Sequence, residues 1–344
     1  MNKKNWLLLF FACAIAFTSF NSCKKDDDDI NTGGGDTGPT EWTKSVVYTG
    51  DPRSGAASFN IEGKGAYVIG GYVNPAVGIA VDGRVFNGTG WSTVADFTGP
   101  ARYEAVGFTI NGKGYIGTGR NLDNEVFNDF YSYNPSTDSW EEVAPLPNGA
   151  AGRSGAIAFT LGDYAYVGLG TNQGGGRLGD LYRFDPSAGE NGKWEAVDNL
   201  PFKDKLSGAF AFVIGNKAYI GGGYSNSAEL PDGFYSFDGS KWETLPSLKR
   251  SDEDYTYDAR KYNAASFVIG NYGYVVSGRN ASSVTSSVWK YDPTSRSWTD
   301  KHQALSTDAR EKAVGFAIDG KGYVVTGVNG SLVYDNMYEF TPVR

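Results

Sequence analysis

The residues best suited to chemistry are a series of cations. Arg53, Arg102, Arg153, Lys205, Arg260 and Arg310 recur at intervals of roughly 50 residues. Guanidinium groups gathered at one place suit a carboxylate or a sugar acid, because the planar fork gives paired, charge-assisted hydrogen bonds. Such a series can equally tie neighbouring loops together through carbonyls or carboxylates, and both uses stay open here. Departures from the repeat are more informative. Arg120 and Arg279 each precede an asparagine, Asn121 and Asn280. Tyr103-Glu104 and Glu311-Lys312 directly follow Arg102 and Arg310. Glu104 and Glu311 are therefore the candidates for acid–base work beside cations. Tyr103, Tyr255, Tyr257 and Tyr262 lie outside the repeated aromatic columns and suit stacking on a sugar. Residues 247–262 form a long segment with Asp252, Glu253, Asp254 and Asp258, whose spacing fits no defined calcium loop, so solvated acids are expected. Gly174-Gly175-Gly176-Arg177 reads as a mobile loop rather than a phosphate loop, since no helix follows it.

These residues sit on a six-fold repeat. Phe59, Phe108, Phe159, Phe212, Phe267 and Phe316 fall in one column, and Tyr67, Tyr115, Tyr166, Tyr219, Tyr274 and Tyr323 in a second. A glycine follows each tyrosine at a constant distance, from Gly71 to Gly327. Each unit reads as four short strands. The first two flank a turn such as Glu62-Gly63, Asn111-Gly112 or Asp319-Gly320, pairs that tolerate the positive φ of a tight hairpin. The third strand ends at a turn such as Asn134-Pro135, and the fourth carries Trp91, Trp140, Trp194, Trp242 or Trp298. The last unit has no tryptophan after it. The missing piece, Glu41-Trp42-Thr43-Lys44, lies before the first unit. An all-β chain of six four-stranded units predicts a six-bladed β-propeller over residues 41–344 whose last blade is closed by the N-terminal strand. Such closure removes an open sheet edge. The third strand of blade 1, residues 79–86, lacks the usual tyrosine and aspartate and is expected to be irregular.

Residues 102–140 run Arg-x-x-Ala-Val-Gly-Phe, Gly-Lys-Gly-Tyr-Ile-Gly-Thr-Gly, Asp-Phe-Tyr-Ser-Tyr-Asn-Pro and Ser-Trp. This succession resembles a Kelch repeat, as do the double glycines Gly70-Gly71 and Gly222-Gly223. The resemblance covers about residues 41–344 and implies a Kelch-type propeller. Some proteins of this type are copper radical oxidases such as galactose oxidase, which need histidine ligands and a cysteine cross-linked to tyrosine. Here His302 is the only histidine, and Cys13 and Cys23 both lie near the N-terminus. That chemistry is therefore not expected, nor is a cofactor or a metal. His302 lies in the polar run Thr299-Asp300-Lys301-His302-Gln303 and reads as an exposed surface residue rather than a triad member.

The N-terminus reads as an address. Lys3 and Lys4 precede an apolar run, and residues 1–22 resemble a lipoprotein signal peptide ending at Cys23. Cys23 is the expected lipidation site. Residues 23–40 then form a tether, with Lys24-Lys25-Asp26-Asp27-Asp28-Asp29 followed by Gly33-Gly34-Gly35. An acidic run after the cysteine resembles a Bacteroidota-type export signal and implies an outer-membrane lipoprotein at the cell surface. Its membrane contact would be the lipid alone.

The net charge of −8 argues against a nucleic-acid partner, which needs clustered cations. The expected function is non-catalytic: a monomeric propeller presenting its loop-rich face to a glycan or protein ligand. The ligand-binding candidates are the six repeated cations with Tyr103, Arg120, Arg177, Tyr255, Tyr257, Tyr262 and Arg279. A second reading is a sugar-acid mutarotase or epimerase, because six-bladed Kelch propellers include N-acetylneuraminate epimerases. A third is a structural part of a surface protein complex. Exposed tyrosines in a groove would favour a glycan, a carboxylate buried against arginine an enzyme, and a broad apolar patch a protein partner.

Overall fold

The computed structural model describes residues 41–227, 229–305 and 308–343. The signal, lipidation and tether expected over residues 1–40 lie outside the described residues. Every named element is a strand, and six four-stranded antiparallel sheets form the blades. Blade 2 shows the plan, with strands Val106–Ile110, Lys113–Gly117, Phe130–Asn134 and Ser139–Val143 paired in sequence order. Blade 6 takes its outer strand, Trp42–Lys44, from the N-terminal end, with Trp42 opposite Phe340 and Lys44 opposite Tyr338.

The local chemistry explains the pattern. Asn111 and Gly112 both take positive φ, 51° and 73°, as a two-residue hairpin turn between Ile110 and Lys113 requires. Blade 1 departs from this: its loop holds Glu62, Gly63 and Lys64, one residue more than expected. Its third strand is otherwise regular. Gly83–Phe86 pairs on both sides, and Asp82 supplies the carboxylate that was expected to be missing.

The core lies between blades, not within them. Each phenylalanine of the first strand packs against the neighbouring blade, where a small residue precedes the tyrosine. A Cβ on Gly114 would lie 2.0 Å from the Phe59 ring, and one on Gly322 2.2 Å from Phe267. Blades 1, 3 and 4 place buried alanines there, Ala66, Ala165 and Ala218. The tryptophans finish each seam. Trp140 Nε1 donates to Ala95 O and Trp194 Nε1 to Ala144 O, both on the preceding blade. Trp42 Nε1 does the same to Gln303 O across the closing seam.

Residues 247–262 are not a plain loop. They hold a small hairpin, Lys249–Ser251 paired with Thr256–Asp258. Asp252 caps its turn by accepting from the Asp254 and Tyr255 amides and pairs with Arg250. Asp258 pairs with Arg260.

A channel mouth built on six left-handed residues

The repeated cation has a structural task. Arg53, Arg102, Arg153 and Arg310 are at most 3% exposed. In blades 1 to 3 each donates through Nη1 to the carbonyl of Gly70, Thr118 or Leu169, through Nε to the carbonyl two residues earlier, and forks onto Asp82, Asp129 or Asp180 at 2.6 Å. Those carbonyl residues all take positive φ, so the guanidinium fixes the chain where it leaves the second strand. Arg310 binds Thr326 O in the same way. The expected column slips at two places. In blade 5 the buried cation is Lys261, bonded to Ser277 O, Thr285 Oγ1 and Ser287 Oγ, while Arg260 is part-buried outside the column, held by Asp258 and the Leu230 carbonyl. In blade 4 the position is held by buried Leu206, and Lys205 is exposed.

Two residues after this column the chain makes a closed ring. Gly55, Glu104, Gly155, Gly208, Asn263 and Lys312 all have φ between 51° and 65°. Each donates its amide to the carbonyl of the preceding member, at 2.7 to 3.0 Å, and Gly55 closes the circuit onto Lys312. An alanine follows every member, from Ala56 to Ala313, and lines the channel just inside. Glycine suits this conformation, and blades 1, 3 and 4 use it. Glutamate and lysine each cost about 1–2 kcal/mol there, and asparagine less.

Those three side chains and their neighbours make the chemistry of the mouth. Glu104 pairs with Lys312 at 2.5 Å, across the blade-1 glycine, and with Arg120 at 3.1 Å. Glu311 pairs with Arg279 at 3.0 Å and accepts from Asn263 Nδ2 at 2.9 Å. Arg279 Nε also donates to the Tyr262 hydroxyl at 3.1 Å. The glutamate side chains are only 13% and 14% exposed. Burial is the largest single effect and would lower the Lys312 ammonium, but the charge and hydrogen bond of Glu104, with the Glu311 charge, together hold the group above its ordinary value. Burial raises the Tyr103 phenol, which stays a neutral donor. Arg120 lies over the Tyr103 ring at 4.9 Å and Arg177 over Tyr224 at 4.7 Å. Arg120, Arg177, Arg279 and Lys312 thus face two carboxylates, a cationic surplus on a chain of net charge −8.

The cavity at this mouth measures about 170 Å³. A larger one, about 430 Å³, opens at the hairpin end of the channel, but Asn60, Thr109, Thr160, Val213, Val268 and Ala317 around it bring no titratable group. Chemistry, not volume, marks the first as the site.

The sequence-predicted candidates therefore divide. Tyr103, Glu104, Arg120, Arg177, Tyr262, Arg279 and Glu311 meet around the mouth. Arg53, Arg102, Arg153 and Arg310 lie beneath it, committed to backbone and carboxylate partners. Tyr257 is buried, with its hydroxyl on Ser247 O, and Tyr255 stacks on Arg250; both belong to the hairpin. His302 is 3% exposed, not a surface residue, and meets the Glu41 carboxylate at 2.8 Å. The loop before Arg177 is tied rather than loose, since Asn172 Oδ1 accepts from the amides of Gly174 and Gly176. Asn263, Lys312 and Tyr224 were not among the sequence candidates. The signal for the first two was available: a glycine column that blades 2, 5 and 6 break with large polar residues.

The comparisons agree with this architecture. The KLHDC2/KLHL20/DRC7 Kelch-repeats domain matches residues 55–250, and the Kelch motif matches residues 260–301. No curated protein sequence matches the chain. The solved structure titled "Structure of YjhT" aligns with a TM-score of 0.67 at 19% identity, over 84% of this chain and 95% of that one, a likeness of fold. With its six buried inter-blade seams and the matched stretch covering more than half its length, the chain belongs to the family of the KLHDC2/KLHL20/DRC7 Kelch-repeats domain.

Proposed function

We propose that this propeller is a binding module for a sugar acid, held at the mouth on the loop-rich face. One observation carries the reading. The ring prefers glycine, yet three blades keep Glu104, Asn263 and Lys312 there at positive φ, where all three line the mouth cavity, Glu104 pairing with Lys312 and Asn263 bonding Glu311. Strain retained at a concave, polar and cationic place is the mark of a ligand site rather than of blade construction. Tyr103 and Tyr262 add half-buried aromatic walls. The sequence of residues 1–40 supports a lipid-anchored, cell-surface setting for this module.

An all-glycine mouth tests the reading. Glu104→Gly, Asn263→Gly and Lys312→Gly together relieve the strained backbone, so thermal stability should hold or rise. Calorimetric binding of N-acetylneuraminate or galacturonate to the full chain in detergent should be lost. Unchanged binding would put the site elsewhere. A wild-type chain that binds no sugar acid would shift the weight to a protein partner.

A second reading, acid–base chemistry on the bound sugar, is favoured by Glu104 and Glu311, each held mostly buried against an arginine. It predicts that wild type, but not Glu104→Gln or Glu311→Gln, speeds anomer exchange of the bound sugar acid in a nuclear magnetic resonance exchange experiment. An unchanged rate with wild type would leave binding alone.

A further inference from the structure

We infer that Arg177 is the residue that receives the ligand carboxylate, and that Tyr224 and Tyr262 form the wall beside it, so the ligand docks over blades 3 to 5. This rests on the sugar-acid reading above. The other cations of the mouth are already engaged: Arg120 and Lys312 share Glu104, and Arg279 holds Glu311. Among the described residues no carboxylate lies within ion-pair distance of Arg177. Its side chain makes one hydrogen bond, from Nη1 to the Gly175 carbonyl; its Nε is buried without an acceptor, and its Nη2 is not buried. A guanidinium with full charge and no carboxylate partner at its Nη side is the group to which an incoming carboxylate gains most, since it displaces no existing ion pair.

The surroundings orient it. The Tyr224 ring lies under the Arg177 guanidinium at 4.7 Å and meets the Tyr262 ring at 5.0 Å. Tyr262 is in turn fixed by the bond from Arg279. Stacking fixes the plane of the Arg177 fork and leaves its edge for a planar carboxylate. The two tyrosine rings, tilted at 55° to each other, form an angled aromatic wall against which a sugar ring can pack. Of the ring members, Gly208 lies against the Tyr224 ring and carries no side chain, while Asn263 follows Tyr262 in the chain and brings a side-chain amide to the edge of the wall. The tied loop between Asn172 and Gly176 holds Arg177 in place before any ligand arrives, which lowers the ordering cost of binding.

The test measures calorimetric affinity of the full chain in detergent for N-acetylneuraminate and galacturonate against neutral methyl galactoside. Arg177→Gln should weaken acid binding by about tenfold or more and abolish the preference for acid over neutral sugar. Arg177→Lys should recover part of the affinity but not the full preference, because a point charge lacks the fork. Arg260→Gln, whose native side chain is committed to Asp258 outside the mouth, is the control and should match wild type. Circular dichroism spectra matching wild type confirm that each variant is folded. If Arg177→Gln binds like wild type while Arg120→Gln loses the preference, the assignment to Arg177 is overturned and the sugar-acid reading stands. If wild type binds no acidic sugar, that reading fails and the assignment falls with it.

Discussion

Lys261 occupies a position that an arginine holds in four other blades, and its neighbours changed with it. Blades 1 to 3 pair Arg53, Arg102 and Arg153 with Asp82, Asp129 and Asp180. Blade 4 gives up both partners at once, with Leu206 for the cation and Gly233 where the aspartate would stand. Blade 5 keeps a cation but offers it only neutral oxygens, those of Ser277, Thr285 and Ser287. No blade leaves a buried carboxylate without its cation, the arrangement that costs most. Burial without a counter-charge pushes the Lys261 ammonium down to about 7. The sign follows from proton counting. Between about 7 and the ordinary lysine value of about 10.4, the unfolded chain holds this proton and the folded chain does not, so stability rises with pH and flattens below about 7. Lys261→Met removes that slope. Between pH 7 and 9.5 wild type should gain about 2–3 kcal/mol relative to the variant in denaturant melts. Parallel stability curves for the two proteins would show that Lys261 stays protonated in the fold.

The closing strand is where sequence and structure connect most directly at the scale of an element. Its displaced tryptophan announced it, because Trp42 completes a column that the last unit lacks. The partner that secures it was not legible. Glu41 is 1% exposed, and its carboxylate accepts from the amides of Gln303 and Val343, both at 2.9 Å, and meets His302 Nδ1 at 2.8 Å. His302 sits in a polar run with no periodicity, and its partner lies 261 positions away. Only the ring closure brings them together, so no local pattern could foretell the pair. Glu41→Ala leaves the buried His302 and two part-buried amides without an acceptor and should cost about 2–4 kcal/mol, read as a lower denaturant midpoint with unchanged slope. A loss within experimental error would assign the latch to Trp42 and the strand pairing alone. Aromatic columns, tight turns and strand order follow from spacing, so the blades were legible. The cation column slipped at Lys205 and Arg260 because charge was matched instead of register. The alanine three residues after each position, after a positive-φ residue as in Gly208-Ala209 and Asn263-Ala264, is the register mark that places Leu206 and Lys261 correctly.

At the scale of the whole molecule, the ring of six backbone hydrogen bonds sets a different expectation from a stack of repeats. In an open array each unit contacts its neighbours only, and opening can begin at any seam. Here every blade donates one bond and accepts one, and the circuit has no end. Breaking one seam lets the remaining five relax, so the ring should open as a unit. The latch at the seam between blades 5 and 6 then governs amides on the far side of the disc. Native-state hydrogen exchange resolves the two cases. The amides of Gly55, Glu104, Gly155, Gly208, Asn263 and Lys312 should share one opening free energy, and Glu41→Ala should lower all six by the same amount. If only Asn263 and Lys312 lose protection while Gly155 and Gly208 keep theirs, the blades open independently and the ring is a passive consequence of their packing. A concerted response also bears on the site. Glu104, Asn263 and Lys312 are members of the ring, so the cooperative closure that holds their backbone at positive φ is the same closure that holds their side chains at the mouth. The strain at three positions is then borne by six blades together. That is how a site built on unfavourable backbone geometry persists in the fold.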